Sequence, residues 1–370
     1  MGLRIGIDGR VFIGNKTGIG HYVCELCKAL DRVLPDVEFY VYSRDQVELP
    51  VSGPNWILRT ESNLLKKKIK NILWFKFLSG FLCRRDRIYV YWGAGSFLPF
   101  FLGPVHTVLT VYDMVYKIVP ETMYRFNFLA FRLFFKRDVL KATKITTISK
   151  GTSERLKTIL DLDSDAIIYP SVNERFVPQR QEEVRECLKK YRITKPYFLS
   201  VATWEPRKNL NLLLETFLLM KQNGELDDYG LVLVGGHGWK NEQLTRILGE
   251  NYESKDVLFL GYVADEVLPL LYSGAKVFLF PSIYEGFGMP VLEARKCGIP
   301  VITSDIIELR EAGGNGCIYI NPTSNGIRDG ILRLLHGKFN PLHDDVPNPT
   351  WDEGAKKMAR IFRGTGKLVN

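Results

Sequence analysis

The sequence contains no long apolar run of the kind that crosses a membrane. A spanning helix needs about 20 mostly apolar residues, and the best candidate, residues 97–111, is interrupted by prolines, a glycine and a histidine. The chain also begins with a strand-like stretch, residues 3–9, so we do not expect a cleaved signal peptide. These two absences predict a cytoplasmic protein.

Cysteine is scarce as well. The six cysteines are scattered along the chain, which argues against a disulfide framework. Cys24 and Cys27 form a C-x-x-C pair, but no second pair lies near enough to complete a zinc site. Because both fall in a helical stretch, residues 18–30, we expect them to pack inside that helix.

Acidic residues are nearly absent from one segment, although the whole chain has a net charge of only +9. Residues 64–87 carry eight lysines and arginines against one acid, Asp86, with apolar residues between them at near-helical spacing. A basic helix with an apolar face suits the surface of an anionic membrane, which is the interpretation that we favour. A half-buried helix with a solvated basic face and a nucleic-acid site are the alternatives, although no nucleic-acid recognition motif accompanies the segment.

The rest of the composition, 46% hydrophobic and 25% charged, is typical of a globular protein. Short apolar, β-branched runs alternate with amphipathic stretches, which predicts an α/β fold with parallel sheets. The predicted strands are 3–7, 37–43, 88–92, 105–111, 145–149, 197–202, 230–236, 257–262, 276–282, 299–303 and 317–321.

The strand pattern restarts near residue 197, after a turn-rich stretch at 169–178. We therefore predict two domains, residues 1–174 and 175–350, with a final helix at 351–370 that packs back on the first. Open parallel sheets bind ligands outside the carboxyl ends of their strands, so the residues that follow each strand are the candidates for a site.

The most informative stretch is a predicted strand, loop and helix at 276–305. In the loop, Gly286 and Gly288 let the backbone approach a ligand closely, and the following helix directs its amide hydrogens at that ligand. Glu285 precedes the helix and Glu293 lies one turn inside it, so the two carboxylates could accept hydrogen bonds from vicinal hydroxyls. The alternative is an acid that favours the helix dipole, together with an exposed helical glutamate.

This stretch carries a family resemblance. The letters E-G-F-G-M-P-V-L-E, residues 285–293, resemble the E-x7-E signature of retaining glycosyltransferases with the GT-B fold (glycosyltransferase family 4, group 1). The resemblance implies two Rossmann-like domains with parallel sheets that face each other across a cleft. It also implies that Glu285 lies beside the donor sugar and that Glu293 binds the ribose. Backbone contacts to the sugar are implied for Gly286, Phe287, Gly288 and Met289.

A cation pair follows another predicted strand. Arg207 and Lys208 stand where the next helix begins, and two cations beside a helix N-terminus can bind a diphosphate. A solvated Arg-Lys pair at a helix start is the alternative. The letters P-R-K-N, residues 206–209, resemble the family segment whose arginine and lysine hold the donor diphosphate.

The N-terminal half offers a weaker glycine signal at residues 14–22, which is not G-x-G-x-x-G. It resembles the T-G-I-G loop of the same family. Gly18 and Gly20 are the matching positions, and the resemblance implies that their backbone approaches the diphosphate and the acceptor.

A fourth element is the pair Tyr112-Asp113, which follows the predicted strand 105–111. The family usually has His-Asp here, and its histidine contacts the donor sugar. A phenol can form hydrogen bonds, but its ordinary pKa near 10 makes it a poor proton carrier at neutral pH. We include both Tyr112 and Asp113 in the predicted catalytic site.

Two smaller predictions complete the site. The resemblance implies that the backbone near Tyr262 and Val263 contacts the base of the nucleotide. The D-x-D letters at 161–165 resemble a metal-binding motif of another glycosyltransferase fold, but we interpret them as a solvated acidic turn. Because Arg207 and Lys208 can neutralise the diphosphate, we expect no metal and no cofactor.

Donor and acceptor are predicted from resemblance alone. The D-G-R opening, residues 8–10, and Gly238-Trp239 resemble bacterial enzymes that build O-antigen, many of which transfer mannose from GDP-mannose. A lipid-linked glycan would then be the acceptor, reached by peripheral contact of residues 64–87 with the membrane. Other hexoses, a nucleotide-sugar 2-epimerase and a non-catalytic sugar-nucleotide-binding protein remain alternatives.

Overall fold

The computed structural model describes residues 2–14, 18–236, 256–337 and 346–364. The chain forms two compact units. The N-terminal unit contains Met1–Lys117, Arg125–Ser171 and Pro349–Asn370, and the C-terminal unit contains Ile118–Tyr124 and Val172–Asn348. The sequence prediction placed the two boundaries after residues 174 and 350.

The N-terminal unit is built on a seven-stranded parallel sheet with the order β3-β2-β1-β4-β5-β6-β7. Its strands are β1 (Arg4–Asp8), β2 (Glu38–Ser43), β3 (Trp56–Thr60), β4 (Val90–Gly93), β5 (His106–Val111), β6 (Lys144–Thr147) and β7 (Ala166–Ile167). Its helices are α1 (Gly18–Val33), α2 (Leu64–Lys67), α3 (Asn71–Phe77), α4 (Ser79–Arg85), α5 (Val115–Ile118), α6 (Arg125–Ala130), α7 (Lys136–Lys141) and α8 (Lys150–Leu160).

The C-terminal unit is built on a six-stranded parallel sheet with the order β10-β9-β8-β11-β12-β13. Its strands are β8 (Tyr197–Val201), β9 (Gly230–Val234), β10 (Val257–Gly261), β11 (Val277–Phe280), β12 (Val301–Ser304) and β13 (Cys317–Ile320). Its helices are α9 (Gln181–Lys190), α10 (Leu210–Gln222), α11 (Leu268–Gly274), α12 (Met289–Lys296), α13 (Ile307–Gly313) and α14 (Ser324–Leu335). A last helix, α15 (Trp351–Gly364), belongs to the N-terminal unit.

The prediction of two parallel-sheet α/β domains is confirmed, and each predicted strand is present. The central strands are buried on both faces, as β9 and β11 illustrate, because helices cover both sides of a parallel sheet. In each sheet the side on which successive strands are added changes once, at the neighbouring pair β1 and β4 and at the neighbouring pair β8 and β11. Such switch points are where doubly wound folds bind ligands.

The final helix completes the N-terminal unit by packing on α1. The Trp351 ring meets the edge of Tyr22 with ring centroids 5.5 Å apart, and Phe362 lies 6.1 Å from Trp92. Met358 and Phe362 are fully buried. Helix α15 therefore contributes to the core of the N-terminal unit, although it follows the whole C-terminal unit in the sequence.

The basic segment differs from the prediction of one amphipathic helix. It forms three short helices, α2, α3 and α4, because Trp74, Phe75 and Cys83 must all enter the core. Lys76 is also fully buried; it pairs with Asp138 and donates to the Leu98 carbonyl at 2.9 Å. Across the described ranges, no helix is both long and apolar enough to span a bilayer.

The packing of α15 makes a testable prediction. Replacing the buried Phe362 with alanine (Phe362→Ala) leaves a cavity beside Trp92 and should lower the free energy of unfolding by about 3–5 kcal/mol. Urea unfolding followed by circular dichroism measures the change. The exposed control Lys356→Ala on the same helix should change stability by less than about 0.5 kcal/mol, and equal effects of the two variants would contradict this packing.

Candidate functional site

The candidate site lies at the carboxyl ends of two neighbouring strands of the C-terminal sheet. Strands β8 and β11 pair in parallel at the switch point, so the loops that follow them start side by side. A hydrogen bond of 2.7 Å from the Ile283 amide to the Arg207 carbonyl joins these loops. The two segments that the sequence singled out are therefore in direct contact.

Glu285 is the centre of a charge cluster in which both cations of the P-R-K-N segment take part. Its carboxylate is 2.8 Å from Nη1 of Arg207 and 2.6 Å from Nζ of Lys208. Arg207 also donates through Nε to Glu205 at 3.0 Å and through Nη1 to the Tyr284 carbonyl at 3.3 Å. Two carboxylates thus orient two cations, which gives them a fixed geometry toward an incoming anion.

The pKa values in this cluster reflect burial and mutual charge. Burial would raise the pKa of Glu285, but the charges of Arg207 and Lys208 outweigh it and lower that pKa to about 2. Burial and the neighbouring Arg207 lower the pKa of Lys208, while burial raises the pKa of Glu205. The Glu285 side chain is only 7% exposed, so its ionised form depends on the two cations.

The glycine-rich loop has a backbone that demands glycine at one position. Gly288 has a φ of +102°, and a Cβ placed there would lie 2.3 Å from Cδ2 of the buried Leu309. Helix α12 begins directly after it with Met289 and has Pro290 in its first turn, as the sequence predicts. Its N-terminal end therefore lies beside Glu285.

Glu293 lies one helical turn farther along α12 and differs from Glu285 in its surroundings. Its Oε2 accepts a hydrogen bond of 3.0 Å from the Tyr272 hydroxyl, and burial raises its pKa to about 7. It is half-buried. The pKa values of the two glutamates of one motif are therefore shifted in opposite directions, because two cations bond Glu285 directly whereas burial dominates at Glu293.

The predicted base-binding residues follow β10 in the same sheet. The Tyr262 side chain is exposed, with 76% of the residue accessible, whereas Val263 is buried. Phe287 is buried as well, at 3% exposure, and Gly286 is half-buried.

In the N-terminal unit, the structure places the predicted residue Tyr112 in the core. Its residue is 5% exposed, its hydroxyl donates to the Ala94 carbonyl at 2.7 Å, and its ring packs edge-on against Tyr22 at 5.5 Å. Burial raises its pKa well above the ordinary value. The hydroxyl is thus used in an internal hydrogen bond, and a catalytic role of Tyr112 stays a prediction. Asp113, by contrast, accepts a hydrogen bond of 3.1 Å from the Val115 amide at the start of α5.

The two glycines of the T-G-I-G letters lie at the start of a helix, in the stretch that the sequence predicts to be helical. Gly18 is the first residue of α1 and Gly20 lies in its first turn. Gly18 is exposed, and a Cβ there would meet open space. Amides in a first helical turn can still bind anions, but the preceding residues 15–17 lie outside the described ranges, as do Gly238 and Trp239.

The acidic turn has the solvated character that the sequence suggested. Asp161 and Asp163 are 92% and 81% exposed and both pair with Lys157 at 3.1 Å. Within the described residues, no group of three or more histidine, cysteine or acidic side chains is arranged to hold a metal ion.

Sequence reasoning missed Glu205. It precedes the P-R-K-N segment, and its residue type gave no sign of a role until the structure placed it 3.0 Å from Arg207. The only available signal was its position in the loop after β8.

The opposite pKa shifts predict opposite pH dependences of stability. The pKa of Glu285 lies below its ordinary value of 4.5, so its contribution is present above about pH 4.5 and is lost as the pH falls toward about 2. The thermal midpoint of wild type should therefore exceed that of Glu285→Gln at neutral pH, and the gap should narrow below about pH 4.5.

Glu293→Gln provides the matched comparison. Its pKa is raised from 4.5 to about 7, so its contribution is present below about pH 4.5 and is lost as the pH rises through about 7. Relative to wild type, this variant should gain stability over that window. Parallel pH profiles for the two variants would contradict the assignment.

Several known proteins are similar to this chain. Residues 183–348 match the family of glycosyl transferases group 1. O-antigen chain mannosyltransferase B of Escherichia coli is 30% identical over 251 residues, which are 67% of this chain and 65% of that protein. O-antigen chain mannosyltransferase RfbU of Salmonella typhimurium is 26% identical over 328 residues, 83% of each chain. The chain thus spans 65% of the first relative's length and 83% of the second's.

A solved structure supports the fold. HepE of Anabaena, crystallised in complex with UDP-glucose, matches with a TM-score of 0.66 and 12% identity over 100% of this chain and 99% of its own. Taken with the two parallel-sheet units, these similarities show that the chain has the GT-B fold, that its C-terminal part matches the group 1 glycosyl transferases and that it resembles the O-antigen mannosyltransferases.

Proposed function

We propose that this protein is a retaining glycosyltransferase that moves a hexosyl group from a nucleotide-sugar donor to a lipid-linked glycan acceptor in bacterial O-antigen-like synthesis. We favour mannose as the transferred sugar, because two relatives are named mannosyltransferases, and GDP-mannose as its donor. The observation that carries the proposal is the cluster of Glu285, Arg207 and Lys208 at the carboxyl ends of β8 and β11.

The chemistry requires stabilisation of a leaving group. As the bond between the anomeric carbon and the diphosphate oxygen breaks, negative charge grows on the diphosphate and the sugar becomes oxocarbenium-like. Arg207 and Lys208 supply two oriented positive charges, which neutralise that charge without rearrangement. We therefore propose that no metal or cofactor is needed.

The proposed route keeps the anomeric configuration. The acceptor hydroxyl attacks from the face that the diphosphate leaves, its oxygen bonds to the anomeric carbon, and its proton passes to the departing phosphate oxygen. Glu285, which is ionised because of its two cations, lies beside the sugar in this proposal. Glu293 binds the ribose, and the backbone of residues 286–289 contacts the sugar.

The remaining roles are assigned to the other predicted residues. Tyr262 and Val263 contact the base, which suits the exposed position of Tyr262 after β10. Gly18, Gly20 and Asp113 belong to the N-terminal unit, which we propose binds the acceptor. Residues 64–87 hold the enzyme against the membrane at the cytoplasmic side, where a lipid-linked acceptor would be found.

A donor screen tests the function. The purified chain is incubated with GDP-mannose, UDP-glucose, UDP-galactose, UDP-N-acetylglucosamine and dTDP-rhamnose, each with lipid-linked glycan acceptors, and the released nucleotide and the product are measured. We expect the highest turnover with GDP-mannose and an α-linked product by NMR. Epimerised donor without transfer, or binding without turnover of any donor, would reject the proposal.

The leaving-group role of Lys208 makes a quantitative prediction. Lys208→Ala removes one preorganised charge and should lower kcat by about 10²–10³-fold. The matched control is Lys276→Ala, because Lys276 is exposed at the opposite, amino end of β11, and its kcat should stay at the wild-type level. Unchanged turnover in a folded Lys208→Ala sample would remove this lysine from the mechanism.

A further inference from the structure

A second segment of the N-terminal unit exposes apolar side chains that its composition alone did not single out. It comprises α6, a π-helical turn (Phe131–Phe135) and α7, residues 125–141. Phe126, Leu129 and Leu133 are 62%, 50% and 59% exposed, and their spacing of three and four residues places them on one helical face. Leu140 is 56% exposed as well. Single exposed apolar residues are ordinary, whereas a contiguous group marks an interaction surface.

The exposed charges of the segment are all positive. They belong to Arg125, Arg132, Lys136 and Lys141. The only acid within residues 125–141 is Asp138, which is fully buried and pairs with Lys76 and with Arg137, the latter at 2.9 Å. The negative charge of Asp138 therefore lies inside the unit. The solvent-exposed side of residues 125–141 combines leucine and phenylalanine side chains with cations.

Aromatic contacts join this segment to the basic segment at 64–87. Lys70 Nζ lies 5.0 Å from the centroid of the Phe126 ring. Phe100 bridges the two segments, with ring centroids 4.9 Å from Phe77 and 5.7 Å from Phe134. Asp86, the one acid of the basic segment, is 7% exposed and bonds Arg59 at 3.0 Å and the exposed Arg85 at 3.4 Å.

The two segments therefore form one surface, which we name the aromatic–basic surface. Its exposed apolar members are Leu65, Leu73, Phe77, Phe81, Phe101, Phe126, Leu129, Leu133 and Leu140. Its exposed cations are Lys66, Lys67, Lys68, Lys70, Arg84, Arg85, Arg87, Arg125, Arg132, Lys136 and Lys141.

We propose that residues 125–141 are a second membrane-docking element, and that the whole aromatic–basic surface rests on an anionic lipid bilayer. Leu129 and Leu133 enter the boundary between headgroups and acyl chains, while Arg132 and Lys136 contact lipid phosphates. This inference extends the proposed function, since a lipid-linked acceptor would lie in the same bilayer.

The chemistry of the surface favours lipid over the other occupants. Leucine and phenylalanine side chains that alternate with cations match an interface of acyl chains and phosphates. A protein partner of ordinary composition would meet many unpaired cations at its centre, where interfaces are depleted of charge. Attraction by one lysine or arginine changes binding by about fivefold, so a surface with many cations and apolar groups is needed for stable docking.

The test uses the full chain and vesicles of phosphatidylcholine, with or without phosphatidylglycerol, in a flotation assay. Wild type should bind the anionic vesicles and bind pure phosphatidylcholine much less. The double variant Leu129→Ser/Leu133→Ser should lose about tenfold or more in partitioning, because less apolar surface is buried. The control Leu219→Ser replaces a leucine of equal type that is 49% exposed on α10, and it should bind as wild type does.

A second arm separates charge from apolar contact. Arg132→Gln/Lys136→Gln should weaken binding by about 25-fold at low salt and by much less near 1 M salt, where the Debye length is about 3 Å. The control Lys189→Gln/Lys190→Gln removes the same charge from exposed positions on α9 and should have little effect. Melting temperatures establish that all variants are folded. We expect them to fold because the substituted side chains are exposed.

The outcomes distinguish this inference from the proposed function. Equal losses of vesicle binding in the α6–α7 variants and in their controls would overturn the docking proposal. Vesicle binding that does not depend on phosphatidylglycerol would overturn it as well. A dimer in sedimentation velocity that only Leu129→Ser/Leu133→Ser dissociates, with vesicle binding unaltered, would assign the surface to a second copy and overturn the docking proposal too.

GDP binding by calorimetry should be the same in every variant. If GDP binds but vesicles do not, the docking fails alone; if vesicles bind but no nucleotide does, the proposed function fails alone.

Discussion

The ion-pair cluster of Glu285 with Arg207 and Lys208 is the interaction on which the candidate site depends. Three buried or nearly buried charges would each be costly alone, and a buried charge without its partner is strongly destabilising. Here the carboxylate is held ionised by the two cations, and the cations are held in place by Glu285 and Glu205. The same arrangement gives the two cations a fixed orientation, which is what we propose a diphosphate would meet.

The topology of the C-terminal sheet makes this cluster possible. Because β8 and β11 are neighbours at the switch point, two loops separated by a large part of the chain begin at the same edge. Gly288 then turns the second loop into α12 at a φ that other residues rarely adopt. Glu285 meets the cations before that turn, whereas Glu293 lies beyond it against Tyr272, which explains why two acids of one motif differ in pKa.

The N-terminal unit solves a different problem, which is how to place many cations and apolar side chains on one surface. The buried pair of Lys76 and Asp138 fixes α3 against α7, and Phe100 packs between the two segments. Asp138 is fully buried and the Asp86 side chain is only 7% exposed, so the exposed charged side chains of both segments are positive. The buried contacts of Lys76, Asp138 and Phe100 thus hold together the two segments that carry the exposed cations.

The sequence by itself determined the two parallel-sheet units, their central strands and the helix after Gly288, because hydrophobic period, glycine and proline act locally. It missed β3, a half-exposed edge strand, and β7, which has only two residues, since both are short and only partly buried. Tertiary structure alone decided that Tyr112 is a core residue, that 64–87 is three helices and that Glu205 joins Arg207. The first two depend on contacts between residues distant in the chain, which no local pattern encodes. The Glu205–Arg207 pair is local in sequence, but Arg207 also bonds Glu285 from a distant part of the chain.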